Sequence, residues 1–168
     1  INMKMNFLKL LVTSSILVLS SCNKNDDEPA SGNAVGIYKL TAFNTFDAQD
    51  LNGDGNSSIN QINESVCFNN SFLKLNSDNT FTLDQKGVEL TINGTTETLD
   101  CYDDGEIIGT WSVSGNNLNL NAFGESVSYT INGNTIINAM NDADYVGTDS
   151  SGNPIYLTGN VSAVYTKQ

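Results

Sequence analysis

The feature that most constrains this chain is a succession of short alternating runs, each ending in a signal for a tight turn. Val88, Leu90 and Ile92 alternate with polar residues up to Asn93-Gly94, and Val127, Tyr129 and Ile131 do the same up to Asn132-Gly133-Asn134. Asn-Gly supplies the consecutive left-handed residues of a type I′ turn, whose twist matches that of two antiparallel strands. The rest of the chain follows the same pattern. Gly36 to Phe43 reads as a first strand, and Phe72 to Leu75 and Thr80 to Leu83 flank a turn at Asn76-Ser77-Asp78-Asn79. Thr96 to Tyr102 returns from Asn93-Gly94, and Ile107 to Val113 is joined to Leu118 and Leu120 through Ser114-Gly115-Asn116-Asn117. Ile136 to Met140 precedes a loop from Asp142 to Pro154, then a short stretch at Ile155 to Leu157 and a closing strand at Val161 to Thr166. Side chains with a period of two line one face of a strand and cannot line one face of a helix. About eight short strands in consecutive hairpins predict an all-β, up-and-down β-barrel, closed so that strand edges are paired away.

One helical pattern interrupts the strands. Ser58 stands as an N-cap with Gln61 three residues on to complete a capping box, and Ile59, Ile62 and Val66 fall on one helical face. A single short helix is therefore expected after the first strand.

Just ahead of it, Asp50-Leu51-Asn52-Gly53-Asp54-Gly55-Asn56-Ser57-Ser58 sets oxygen-bearing side chains at positions one, three, five and nine with glycine at six. Hard cations such as Ca2+ take six to eight oxygens, and the glycine permits the sharp turn between ligands. Asp50, Asn52 and Asp54 would give side-chain oxygens, Asn56 a backbone carbonyl, and Ser58 a ligand directly or through water. Position twelve calls for a bidentate carboxylate, and the chain has Gln61 there. Glu64, one turn further, would supply it from the same face. A structural Ca2+ is the preferred reading; a metal-free Asn/Asp/Gly turn and half of a dockerin-type pair are the alternatives. With no Cys or His in the loop, zinc is disfavoured.

The chain has 168 residues, enough for one domain with a real core, and carries 19 acidic residues against 7 Lys with no His and no Arg. So acidic a surface repels nucleic-acid phosphates and anionic lipid headgroups and favours cations, or serves solubility alone. Without His, the Ser–His and Cys–His nucleophile pairs and imidazole metal ligands are missing. Without Arg there is no bidentate fork for phosphates. Catalysis would rest on Asp, Glu, Lys or Tyr, for instance on carboxylate pairs drawn from Asp100, Asp103, Asp104 and Glu106 or from Asp142 and Asp144. The chain is read as a non-enzyme.

Residues 1–21 are expected to be an address and not part of the fold. Lys4 and Lys9 precede an apolar run from Leu10 to Leu19, too short for a permanent span, with Met3 or Met5 as the start. The run ends in Leu19-Ser20-Ser21-Cys22, which resembles the lipobox of bacterial lipoprotein signal peptides and implies acylation of Cys22. An ordinary secretory signal with a stray cysteine is the alternative. Residues 22–34 read as a polar tether. Their acidic run Asp26-Asp27-Glu28 resembles the export signal of Bacteroidetes-type lipoproteins, which implies a place on the outer membrane, lipid-anchored and surface-exposed. Residues 35–168 form the domain. With Cys22 acylated, Cys67 and Cys101 remain as an even pair in an exported chain, where disulfides persist. Free thiols or a catalytic thiolate are the other possibilities, and nothing cationic stands ready to activate a thiolate.

Gly36-Ile37-Tyr38-Lys39-Leu40 and Ile108-Gly109-Thr110-Trp111-Ser112-Val113-Ser114-Gly115-Asn116-Asn117-Leu118 together resemble the opening strand and the later Gly-Thr-Trp hairpin of the lipocalin-like lipoproteins of Bacteroidetes. The spacing of acidic loop, Cys67 and Cys101 is similar too. The first aromatic is Tyr where lipocalins have Trp, and their long entrance loop and arginine are missing. The resemblance implies a calycin-type barrel. Tyr38, Phe81, Trp111 and Tyr129 are then core residues or the lining of a small ligand cavity. The expected function is non-catalytic binding of a small molecule or partner at the cell surface, by a monomer with no nucleic-acid role. A structural or adhesive accessory without a ligand is second, and a carboxylate-based hydrolase third.

Overall fold

The computed structural model describes residues 34–168 apart from Thr95. The expected signal peptide, Cys22 and the tether up to residue 33 lie outside the described residues. The alternating runs form nine strands: β1 Gly36–Gln49, β2 Ser58–Asn60, β3 Phe72–Leu75, β4 Thr80–Asn93, β5 Thr96–Ser114, β6 Asn117–Ala122, β7 Glu125–Asn132, β8 Thr135–Thr148 and β9 Pro154–Lys167. All pairings are antiparallel, and β1, β3, β4, β5, β6, β7, β8 and β9 follow one another around the sheet. Pairing of β1 with β9 closes the circle, so eight strands make an up-and-down barrel. The three-residue β2 is an extra strand laid on the far half of β1, with Asn44 opposite Asn60 and Gln49 opposite Ser58.

The hairpins turn at the expected glycines, Gly94 at φ 68° and Gly133 at φ 57°. Asn93 and Asn132, however, are the last paired residues of their strands and are not left-handed, so the turns begin one residue later than an Asn-Gly type I′ turn would. Other expected breaks turn out to be bulges inside longer strands. The register slips between Asp84 and Lys86, so 80–93 is one strand. The acidic stretch Asp100 to Glu106 continues β5 through Gly105 at φ 79°, and β8 runs on through Asp142 at φ 51°. A bulge inserts a residue and bends the strand without ending it.

The excursion from β1 to β3 holds no α-helix. Its helical content is two 3-10 turns, Gln61–Asn63 and Val66–Phe68. Asn60, and not Ser58, caps the first by accepting from Ile62 N; Ser65 caps the second by accepting from Cys67 N. The Ser58 hydroxyl is engaged with Asn60 in β2, which moves the cap two residues on. Ile59 and Val66, expected on a buried helical face, are 53% and 77% exposed. The Cys67–Cys101 disulfide fastens the second turn to β5.

Strand direction gives the barrel two rims. The near rim holds the start of β1, the β3–β4, β5–β6 and β7–β8 turns and the end of β9. The far rim holds residues 50–71, the β4–β5 and β6–β7 turns and the β8–β9 loop. Inward side chains fill the space between. Tyr38, Phe81, Trp111 and Tyr129 are 2%, 2%, 3% and 4% exposed, so water reaches them neither from outside nor from a void within. They are core. Tyr38 OH donates to Ala34 O at 2.7 Å, Trp111 Nε1 to Asn76 O at 3.0 Å, and Tyr129 meets Tyr165 edge-on at 6.5 Å.

Two outcomes follow from this packing. A Cβ at Gly109 would collide with the Asn121 carbonyl and the Phe81 ring, so Gly109→Ala is expected to lose about 1–3 kcal/mol in urea unfolding. The disulfide spans a separation of 34 residues. Its reduction should lower the unfolding free energy by about 4 kcal/mol, read as a lower urea midpoint with reductant present.

Candidate metal centre

The loop between β1 and β2 is built from short polar side chains folded back onto backbone amides. Asp50 Oδ1 accepts from Gly53 N at 2.8 Å and Asp54 N at 3.1 Å, and its Oδ2 accepts from Gly55 N at 2.9 Å. Asn52 Oδ1 accepts from Asp54 N at 2.8 Å, while Asp54 Oδ1 accepts from Asn56 N at 2.7 Å and Asn56 Nδ2 at 3.1 Å. Gly53 and Gly55 take φ of 72° and 85°, where a side chain would strain the backbone. The order Asp-x-Asn-Gly-Asp-Gly thus fixes a tight, solvent-exposed coil whose side-chain oxygens are bonded to its own backbone amides.

Two glutamines hold the loop at its base. Gln49 is 5% exposed, and its Oε1 accepts from Thr148 N at 2.9 Å, tying the end of β1 to β8. Gln61 is 1% exposed and donates through Nε2 to Thr45 Oγ1 and Ser58 O, both at 2.9 Å. The sequence pattern did not single out Gln49, and it placed Gln61 in a capping box with Ser58, whereas its side chain in fact reaches back to Thr45. A glutamine beside a polar loop reads as solvated, and only the fold brings Thr148 to Gln49.

Glu64 is only 7% exposed. Its Oε2 is buried with no hydrogen-bond partner. Burial pushes its carboxyl above the usual 4.5, the negative charges of Asp54 and Asp50 push it further, and the Leu51 and Asn52 amides pull part of the way back. The residue expected to complete the loop is therefore a buried carboxylate in the field of Asp50 and Asp54. It arrives by a 3-10 turn and not by an α-helix.

The donor set is oxygen throughout, which suits a hard cation. A carboxylate offers about four lone-pair sites, so the amide bonds of Asp50 and Asp54 leave capacity, and Glu64 Oε2 is wholly uncommitted. Ser58 differs: its hydroxyl donates to Asn60 O and accepts from Asn60 N and Asn63 Nδ2. Among the described residues, no group of three or more His, Cys, Asp or Glu side chains is placed where it could hold a metal ion, so Asp50, Asp54 and Glu64 would have to draw together to do so. Beside the site lies a cavity of about 20 Å³ lined by Phe43, Leu51, Gln61, Phe68, Val88, Tyr102, Tyr145 and Val146, with room for little beyond one water.

The other acidic clusters have structural partners. Lys86 bridges Asp84 at 3.4 Å and also pairs with Asp103. Asp144 Oδ1 accepts from Thr158 Oγ1 at 2.7 Å. Burial pushes the phenols of Tyr102 and Tyr129 up to about 12, so neither is a base at neutral pH.

Glu64 makes a signed prediction for metal-free protein. Its folded pKa lies above its unfolded one, so its contribution is most favourable with the carboxyl protonated. Stability is lost as pH rises from near 4.5 through the raised folded value. In chelator, the urea midpoint of Glu64→Gln should overtake that of the unsubstituted chain across this window, the difference growing with pH.

In comparisons with known proteins, no family model, curated protein or solved structure matches this chain, so its functional reading rests on its own residues and geometry.

Proposed function

We propose that this chain is a cell-surface lipoprotein of the outer membrane, anchored through acylated Cys22. Its lipocalin-like barrel would carry one structural Ca2+ and bind a partner non-catalytically with its outer surface. The observation that carries the reading is the filled interior. Tyr38, Phe81, Trp111 and Tyr129 occupy the space in which a carrier barrel would hold a small molecule, and a drug-sized ligand needs a pocket of about 300 Å³ or more. Binding then falls to the exterior.

Exposed apolar residues support this choice. Phe123 is 80% exposed at the β6–β7 turn, and Phe46 is 63% exposed on β1. Phe123 also sits at φ 54°, an unfavourable conformation for a bulky residue that Gly or Asn would occupy at less cost. The calcium part is supported by the uncommitted Glu64 oxygen beside Asp50 and Asp54. Native mass spectrometry of protein taken from its own envelope tests both parts. One calcium and no retained small molecule is the expected result; a stoichiometric organic ligand would return the carrier reading.

A metal that binds only the folded state adds about 2.7 kcal/mol at a hundred times its Kd, which is several degrees in Tm. Thermal melts in Ca2+ and in chelator should differ by that much. Asp54→Ala and Glu64→Gln should each abolish the difference, and an unchanged midpoint in the unsubstituted chain would leave only a metal-free turn.

A further inference from the structure

The described part of the chain has four lysines, Lys39, Lys74, Lys86 and Lys167. Lys86 is held in mid-wall by Asp84 and Asp103. The other three gather at the near rim, on the strands where the chain enters the barrel: Lys74 lies opposite Ile37, Lys39 opposite Phe72, and Lys167 opposite Tyr38. Lys39 and Lys74 are exposed, with Ile37 beside them at 47% exposure. Lys167 leans over the Tyr38 ring, 5.6 Å from its centre, against the first turn of the chain at Gly36.

The acidic residues are distributed the other way. Asp50, Asp54, Glu64 and Asp149 lie in the far-rim loops, with Glu97 and Glu125 next to the far-rim turns. Among the described residues of the near-rim turns, the acidic side chain is Asp78. The domain is strongly negative as a whole, so an anionic surface repels it on average, yet its charge is separated along the barrel axis.

We propose that the near rim, with Lys39 and Lys74 on its outer wall and Lys167 at its edge, rests on an anionic lipid surface and sets the orientation of the domain. The inference rests on the anchor at Cys22. From Cys22 to Ala34 there are 12 residues, a span that even as coil reaches roughly 20 Å. Ala34 is buried against the near rim, where its carbonyl accepts from Tyr38 OH. A tether of this reach lets the rim come within one Debye length, about 10 Å, of the surface, where charge is felt. Each basic residue at an anionic surface strengthens the attraction about fivefold. The acidic far rim is pushed away by the same field, which leaves the metal loop and Phe123 pointing outward to a partner.

The test uses the acylated full chain on vesicles of phosphatidylcholine alone and of phosphatidylcholine with phosphatidylglycerol. Surface amines are acetylated and the modified peptides read by mass spectrometry. Lys39 and Lys74 should react about threefold more slowly on the anionic vesicles, with the difference erased by high salt. Lys86 should react equally on both. Equal rates at Lys39 and Lys74, or slowing at Lys86 as well, overturn the orientation while the anchor stands. A chain that fails to float with the neutral vesicles overturns the anchor, and the orientation with it.

Discussion

The ladder between β1 and β9 is the interaction on which the rest depends. It joins the first described strand to the last, from Tyr38 opposite Lys167 to Asn44 opposite Ser162, with a register slip between Leu40 and Ala42. Every other barrel pairing in the chain is local, formed across a turn or a short excursion. Without this one the sheet would expose two edges, each a template for unwanted pairing. It also turns the inner faces of all eight strands toward one another, so that Tyr38, Tyr165 and Ile136 are 2%, 1% and 0% exposed. Closure is thus what converts an alternating pattern into a core.

β1 carries a second task along its length. Its near half pairs with β3 and β9, and its far half leaves β3 behind and takes β2 as partner. The gap beside the far half is filled by residues 50–71, packed through Phe68 onto Phe43 at 5.0 Å between ring centres. Three independent ties hold this segment: the Gln49 amide to Thr148, the Cys67–Cys101 bond and the Gln61 amide to Thr45. These ties fix where the base of the loop sits against the barrel.

The hairpins were legible in the sequence because turn chemistry is local. Gly94 and Gly133, each just after an asparagine that ends a strand, take the left-handed backbone of a tight turn with no help from the rest of the fold. The bulges were not. Asp100 to Glu106 is solvated along most of its length, so no period marks it as strand, and only pairing with β4 reveals it. The helix after β1 was misread because Ser58 and Asn60 both offer capping oxygens, and β2 pairing decides between them. Cys67 and Cys101 were legible as a pair through their compartment and parity. The roles of Gln49 and Gln61 depend on partners that sequence spacing does not bring near. That Glu64 feels the charges of Asp50 and Asp54 was legible from the loop pattern, although the route by which it arrives is a 3-10 turn and not an α-helix.

Glu64 and Gln61 also show where this fold departs from the rules that serve it elsewhere. Each buries an oxygen without a partner, Glu64 Oε2 and Gln61 Oε1, close together in one excursion; a further such atom among the described residues is Asp84 Oδ1 in the β4 wall, whose other oxygen meets Lys86. A buried unpaired polar atom costs about 1–3 kcal/mol, and more when charged. Local violations of this kind collect at functional or strained sites, because elsewhere nothing compensates for them. For Glu64 the compensation at hand is either a proton or a cation. A proton removes the charge that burial opposes, and a cation would answer the charges of Asp50 and Asp54 as well. The same two aspartates that raise the cost of ionising Glu64 are thus the reason a divalent ion would repay it.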